Sequence, residues 1–591
     1  MKKTILFCLF VIFAAVCPAY GAEIFTAPID SRPVSTDYLE NLAEVSGDGF
    51  SCVTKDSLDF FSGKGEGDHI GDSASVREQI YNMASENNSE DSTFIISLTS
   101  YLTGGLVGSR NGVNYGDGEE AINSLQKLMD DFPLPAYYIN MSMPRTLPDS
   151  RFGAIWTDDK TYSGLGSFYL KSHPECDKKT EITNTYSKVT AAQLILEWSY
   201  VKNHQVMGEL NDWEEDFLNY FNINFEIKDP YKQYLRNYRS PYLSIAEIGS
   251  KLMNLHNSGY NFELIISEDD FQLPDFIIFL NDDELLDDEI KYSFALNYME
   301  NTLYYTAKNT YGTTELEKAL DGKGRYINFI FGTDEVPQLV YARDLSKRTG
   351  ITPSLFLKKT NTTSSVAKFD VKSSDEVMSA AINFVSLGKR RASTPMDIFL
   401  FDCSGDKNYL SFINSMETDS ARGNDIALIE LYTTAQTTTG ENYLFTKLRD
   451  RSLNGSSFGL HSLSAYSAWN TTANAVGLGV ANAAVYSINK ELRNTEDFKK
   501  AALKVLLTHA LEDGWYNCSG KRQLYGYYPY YEENNEERLR GILEESSLLS
   551  VLENKTYETS EGSFTVANTE IAECCFPWSR TFECYIDVII S

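Results

Sequence analysis

The chain has 591 residues, of which 83 are acidic and 52 basic, for a formal charge of −31, and it is 42% hydrophobic and 13% aromatic. That length calls for two or three domains, or one large α/β domain with additions, and the apolar content suffices for a large core. The negative field repels phosphate backbones and no basic stripe offsets it, so nucleic-acid binding is excluded; an acidic excess of this kind serves solubility.

At the N-terminus Lys2 and Lys3 precede the apolar run Ile5 to Val16, then Pro18 and the small-residue exit Ala19-Tyr20-Gly21-Ala22. This is the order of a signal peptide over residues 1–21, too short for a lasting membrane span, with cleavage after Gly21 or Ala22. The mature protein is therefore expected to be exported, periplasmic or extracellular, with no later segment apolar enough to cross a membrane. Export permits disulfides, and Cys574 or Cys575 is expected to pair with Cys584 or Cys518. No Cys/His spacing suggests zinc.

Residues 22–185 read as a first α/β portion. A strand from Ile24 ends in Asp30-Ser31-Arg32-Pro33, and Val76 to Ala84 reads helical. Phe94-Ile95-Ile96-Ser97-Leu98 leads to Gly104-Gly105-Leu106-Val107-Gly108-Ser109-Arg110. Glu119 to Met129 is helical, with Ala121, Ile122, Leu125, Leu128 and Met129 on one face, and Ala136 to Met141 is a strand leading to Pro144-Arg145. Residues 186–260 form a charged, aromatic helical insertion. The second α/β portion, 261–495, holds the runs Glu263 to Ser267, which ends in Glu268-Asp269-Asp270, and Tyr326 to Phe331, which ends in Gly332-Thr333-Asp334-Glu335. Asp397 to Asp402 and Ile426 to Leu431 follow. Ser457 to Leu463 then reads as a strand, before Ala468-Trp469-Asn470-Thr471-Thr472-Ala473-Asn474 opens a small-residue helix. Residues 496–591 form a C-terminal helical and β unit, with an aromatic cluster at Leu524 to Tyr531 and strands at Gly562 to Val566 and Cys584 to Ile590.

Strands alternating with helices imply parallel sheets. The fold expected is α/β with parallel-sheet lobes, a helical insertion and a small C-terminal β-containing unit; a modified TIM-like barrel is the alternative. In such folds function gathers at the carboxyl ends of strands, so the repeated pattern of an apolar run ending in acids, Arg or Gly predicts one shared crevice.

Several of these segments carry a resemblance. The chain is similar to the bacterial domain-of-unknown-function family 4127, whose members show a Pro-Leu-Asp-x-Arg-Pro start, a Gly-Gly-Leu-Ile-x-Ser-Arg segment, an Asp-Asp and a Gly-x-Asp-Glu strand end, and an Ala-Trp-Asn-Thr-x-x-Asn helix start. Here these stand at Pro28 to Pro33, Gly104 to Arg110, Asp269-Asp270, Gly332 to Glu335 and Ala468 to Asn474. The departures are Ile29 for the usual Leu and Glu268 for the more usual Gly. The resemblance implies a fold and a shared site, but no chemistry.

The chemistry is read from the residues. Crowding Asp30, Asp269, Asp270, Asp334 and Glu335 raises at least one carboxyl pKa and produces an acid beside a base. Glycoside hydrolysis needs such a pair, taken as Asp270 and Glu335. Arg32, Arg110, Arg145, Asn470 and Asn474 would hold hydroxyls or a carboxylate, and Trp469 would stack on a sugar face. Simpler roles for the same residues are helix N-capping by the acids and buried ion pairing by Arg32 or Arg110. The expected function is an exported hydrolase of a glycan or other small polar substrate, with no cofactor. The alternatives are a divalent cation held by Asp269, Asp270 and Glu335, giving a metal-dependent hydrolase, and a non-catalytic secreted glycan-binding protein.

Overall fold

The computed structural model describes residues 21–60, 69–110, 118–143, 258–268, 327–362, 373–403, 408–431, 444–521, 535–579 and 583–591, with Leu524 and isolated positions between 212 and 256. The first sheet contains β1 (Glu23–Ala27), β2 (Gly49–Cys52), β3 (Ser92–Ser97), β4 (Ala136–Met143), β5 (Glu263–Glu268) and β6 (Ile327–Ile330), in spatial order β2-β1-β3-β4-β5-β6. Every pairing in it is parallel. Its described helices are α1 (Asp37–Ser46), α2 (Ser73–Glu86), α3 (Leu98–Thr103), α4 (Leu106–Arg110), α5 (Gly118–Asp131) and α6 (Val336–Thr349).

After a short parallel pair, β7 (Ile351–Thr352) with β9 (Arg390–Arg391), the second sheet is built from β8 (Leu355–Thr360), β10 (Met396–Asp402), β11 (Asp425–Leu431) and β12 (Ala465–Ser467). Its order is β12-β11-β10-β8, again all parallel. Both sheets are open, so the described residues form lobes and no barrel closes among them. The helices of this half are α7 (Ser374–Val385), α8 (Tyr409–Ala421), α9 (Leu444–Leu453), α10 (Thr472–Arg493) and α11 (Glu496–His509), followed by a π-helical stretch Ala510–Gly520 and α12 (Asn535–Glu545).

The lobes share one core. Ile24, Ile95, Tyr138 and Ile265 of the first sheet and Ile398, Leu400 and Ile429 of the second belong to a single cluster, filled by residues of α1, α6, α7 and α10. These helices are therefore a common layer between the sheets. The outer face of the first sheet packs on α2 and α5, with Ile248 and Leu252 in the same cluster. The outer face of the second packs on α8, α9, α11 and the C-terminal unit. Strands covered on both faces read as continuous apolar runs, which is why β3, β10 and β11 stand out in the sequence.

Local chemistry sets the helix ends. In α6 a proline occupies the first turn, Lys347 and Arg348 lie in the last, and Gly350 ends it at φ 68°; each fits the needs of its terminus. A reciprocal Ser373/Glu376 capping box starts α7. Thr471 Oγ1 accepts from the Asn474 backbone N–H to start α10.

One expected strand is displaced. Ser457 to Leu463 forms a loop with a single 3-10 turn, Leu460–Ser462, and only Ala465–Ser467 pairs with β11. The cause is local: the His461 backbone N–H bonds Ser452 Oγ, and Gly459 lies so close to Ser452 and Leu448 that a Cβ would fall 2.6 Å from Ser452 Oγ. The segment is thereby tied to the end of α9 rather than to β11.

The chain ends in two antiparallel hairpins, β13 (Thr556–Thr559) with β14 (Gly562–Thr565) and β15 (Thr569–Cys575) with β16 (Tyr585–Ile590). The expected tail disulfide does not form among the described residues, where Cys574, Cys575 and Cys584 are all free thiols. The register explains it: Cys574 faces Ile586 and Cys575 faces Tyr585, leaving Cys584 directly opposite neither. The Cys518 side chain lies outside the described residues.

The small-residue face of α10 makes the shared layer thin. A Cβ on Gly479 would lie 2.5 Å from Ile429 Cγ1. Gly479→Ala is expected to destabilise the fold by roughly 1–3 kcal/mol, the usual cost of overpacking, despite alanine's better helix propensity. Urea unfolding checks this; unchanged or raised stability would show that the layer has slack.

Candidate active-site crevice

The crevice is built where α6 and α10 begin. Near its C-terminal end α6 places Asp344 against Thr93 Oγ1 (3.2 Å) and the Tyr138 hydroxyl (3.1 Å), at the amino halves of β3 and β4. The helix thus runs antiparallel to these strands, and its N-terminus, with Asp334 and Glu335 just ahead of it, lies over their carboxyl ends. The start of α10 meets it there, because the Asn474 amide donates to Glu335 Oε2 at 2.6 Å.

Arg32, which follows β1 and is 6% exposed, joins these segments. Its Nε donates to Asp30 Oδ2 at 2.9 Å and its Nη2 to Asp334 Oδ1 at 2.7 Å, while Nη1 lies 3.9 Å from Glu583 Oε2. Asp30 Oδ1 also accepts from the Arg32 backbone N–H and from Ser35 Oγ, both at 3.0 Å, which fixes the turn after β1. Burial alone would lower the Arg32 pKa, but the carboxylates of Asp30, Asp334 and Glu583 outweigh it and hold the guanidinium well above its ordinary range.

The second oxygen of Asp334 accepts from Trp469 Nε1 at 3.2 Å. The expectation that Trp469 stacks on a sugar does not fit this position: the ring is 3% exposed and packs with Val34, Tyr38, Leu478 and Tyr585. Trp469 is a frame residue. Nor is Arg32 arranged to grip a substrate carboxylate, since protein carboxylates already surround it. Behind Trp469, Asp513 Oδ2 accepts from the Ala468 backbone N–H (3.2 Å) and faces His509 Nδ1 (2.9 Å), while Tyr38 and Glu512 form a second buried pair. Burial pushes the Glu512 carboxyl well above its usual range.

Glu335 occupies a space made for it by glycines. A Cβ on Gly332 would lie 2.2 Å from Glu335 Oε1, and one on Gly477 2.1 Å from Glu335 Cγ. Its carboxylate does not cap α6. On its other side Phe331, Leu339, Val377, Phe384 and Ala473 line a small, mainly apolar cavity. Asn470 is exposed and left-handed at φ 49°, and its amide donates to Asn474 Oδ1 at 3.2 Å. Left-handed backbone is uncommon outside glycine and is best tolerated by asparagine.

The structure thus brings together Asp30, Arg32, Asp334, Glu335, Trp469, Asn470 and Asn474. Arg110 ends α4, with its side chain outside the described residues, and Arg145, Asp269 and Asp270 lie outside them altogether. Among the described residues no group of three or more His, Cys, Asp or Glu side chains is placed to hold a metal ion.

Several residues escaped the sequence reading. Trp578, left-handed at φ 56°, donates from Nε1 to Ser31 Oγ at 2.8 Å and carries its ring 5.5 Å from the Arg32 guanidinium carbon. With Glu583 it comes from the β15–β16 connection. Asp59 accepts from the Gly71 and Gly108 backbone N–H groups, each at 2.8 Å, and so ties the segment ahead of α2 to α4, which ends at Arg110. Asn140, Ser142 and Ser267 close a buried hydrogen-bonded ring at the ends of β4 and β5. The only sequence signal for the last group was polar residues inside otherwise apolar strands.

An open α/β protein with a buried cluster of carboxylates around an arginine at its strand ends is the class these features define. The family described as "Protein of unknown function (DUF4127)" matches residues 24–164 and 306–587, and the chain belongs to that family. Asp269 and Asp270 fall between the two matched stretches. No curated protein and no solved structure matches the chain.

A further buried acid, Glu430, lies near the end of β11. It accepts from the Leu444 and Phe445 backbone N–H groups at the start of α9 (2.6 and 3.0 Å) and from the Tyr466 hydroxyl (2.8 Å). Burial outweighs these bonds and pushes its pKa from 4.5 up to about 7. A carboxyl with a raised folded pKa favours folding below its unfolded pKa and loses that contribution as pH rises through the folded one. Relative to Glu430→Gln, the wild type is expected to lose on the order of 3 kcal/mol between pH 4.5 and about 7. Denaturant unfolding across that range checks it; parallel curves would show that folding leaves the Glu430 pKa unshifted.

Proposed function

We propose that this protein is an exported hydrolase acting on a glycan, with Glu335 as one member of a carboxylate pair that handles the proton. The observation that carries this reading is the setting of Glu335: a carboxylate at a strand end, 1% exposed, lodged between two glycines and held at one oxygen by the Asn474 amide at 2.6 Å. A carboxyl with an apolar cavity on one side and a positioned amide on the other suits general acid–base work.

The other acids divide by role. Asp30 and Asp334 have both oxygens engaged with Arg32, Ser35 and Trp469, so they serve as frame and not as proton carriers. The partner of Glu335 is assigned to Asp270, with Asp269 beside it. Asn470, exposed at the start of α10, and Asn474 supply amide contacts to substrate hydroxyls. The leader at residues 1–21 is taken to direct export.

Glu335→Gln keeps the shape of the side chain and removes the titrating group, so folding should persist while turnover on a responsive glycan falls by roughly 100-fold or more. The measurement is product release from a glycan panel, with and without a chelator. Full activity in the variant combined with loss on chelation would favour a metal-dependent hydrolase. Absence of both turnover and binding across the panel would remove the glycan assignment.

A further inference from the structure

We propose that export processing cuts between Gly21 and Ala22, and that the amino group so released docks on the buried carboxylate of Asp48 as a structural ion pair. Two independent observations meet at this bond. In the sequence, Ala19 and Gly21 place small residues at the third and first positions before it, the pattern a leader peptidase accepts. In the structure, the Ala22 nitrogen lies 2.9 Å from Asp48 Oδ1, and Ala22 is 3% exposed while Gly21 is exposed.

The receiving site is built. The Asp48 side chain is fully buried, and its other oxygen accepts from the Tyr341 hydroxyl at 2.7 Å and from Arg348 Nη2. Arg348 is itself held by Asp344. Ala22 joins the shared core, and its carbonyl accepts from the Gly49 backbone N–H at 2.8 Å, which brings the strand start to the turn that carries Asp48. Cleavage one residue later would discard this buried alanine. Cleavage one residue earlier would leave the charge on exposed Gly21.

The chemistry is ordinary hydrolysis. Water adds across the Gly21–Ala22 peptide bond, Gly21 leaves with the leader as a carboxylate, and Ala22 keeps an amine that takes up a proton. The amide N–H that donates one hydrogen bond to the Asp48 carboxylate becomes an ammonium with three donors and a full charge, which adds a Coulombic attraction between unlike charges at a buried site. The mature N-terminus would then be locked to α6 through Asp48, Tyr341 and Arg348, on the helix whose other end carries Glu335.

The test has two arms. Mass spectrometry of the exported protein should show a chain that begins at Ala22; a start at any other residue overturns the proposal. Purified chains that begin at Ala22 and at Gly21 are then compared by denaturant unfolding. The Ala22 chain is expected to have an unfolding constant lower by on the order of tenfold, and Asp48→Asn should erase the difference. Should Asp48→Asn fail to fold, acetylating the Ala22 amine removes the charge alone and should produce the same loss. Equal stability of the two unmodified chains would overturn the docking. Neither arm uses a glycan, so the outcome is independent of the reaction assigned to the crevice.

Discussion

The structure depends on keeping one guanidinium out of water. Arg32 is buried where the two lobes meet, and an arginine cannot shed its charge, so its surroundings must supply carboxylates in the right places. Asp30 comes from its own turn, Asp334 from the end of β6 and Glu583 from the C-terminal hairpin. Segments hundreds of residues apart must converge before that charge is satisfied. The same contacts orient Asp334 toward Trp469 and set Glu335, the next residue, against Asn474. A buried ion cluster of this kind adds little net stability but penalises misassembly heavily, because removing one partner strands a charge. That penalty holds a site assembled from separate strand ends to a single geometry.

Small residues let the two lobes share their helical layer. Gly477 makes room for Glu335 and Gly479 for Ile429, so within one turn α10 touches the site on one side and the second sheet on the other. The alanines and glycines that run through α10 are thus spacing elements between the lobes. The C-terminal hairpin adds Tyr585 against Trp469 and Trp578 beside Arg32, so the last residues of the chain stand in the wall of a crevice that begins at Asp30.

Much of this was legible in the sequence. Parallel strands buried on both faces have an apolar signature, and β1, β3, β10 and β11 were read nearly to their ends. Asp30, Arg32, Asp334, Glu335 and Asn474 were legible as a group because each follows such a strand or opens a helix. The role of Trp469 was misread, since exposure of a ring cannot be inferred from its neighbours in sequence. The segment from Ser457 to Leu463 was misplaced because its short-range bonds to Ser452 override the strand pattern. Trp578, Glu583 and Asp59 were invisible for a different reason: each acts through a partner distant in the chain. Cys574 and Cys584 show a related limit, in that closeness in sequence did not fix the register that separates them.

The most direct test of the central claim is a double-mutant cycle on Arg32 and Asp334, read by denaturant unfolding. If the crevice hangs on this buried pair, Arg32→Met should cost roughly 3–5 kcal/mol because it strands the surrounding carboxylates, and Asp334→Leu should cost less because Asp30 and Glu583 still face Arg32. The double variant should cost clearly less than the sum of the two, giving a coupling above about 1 kcal/mol. Additive losses, or single variants no less stable than the parent, would contradict the account.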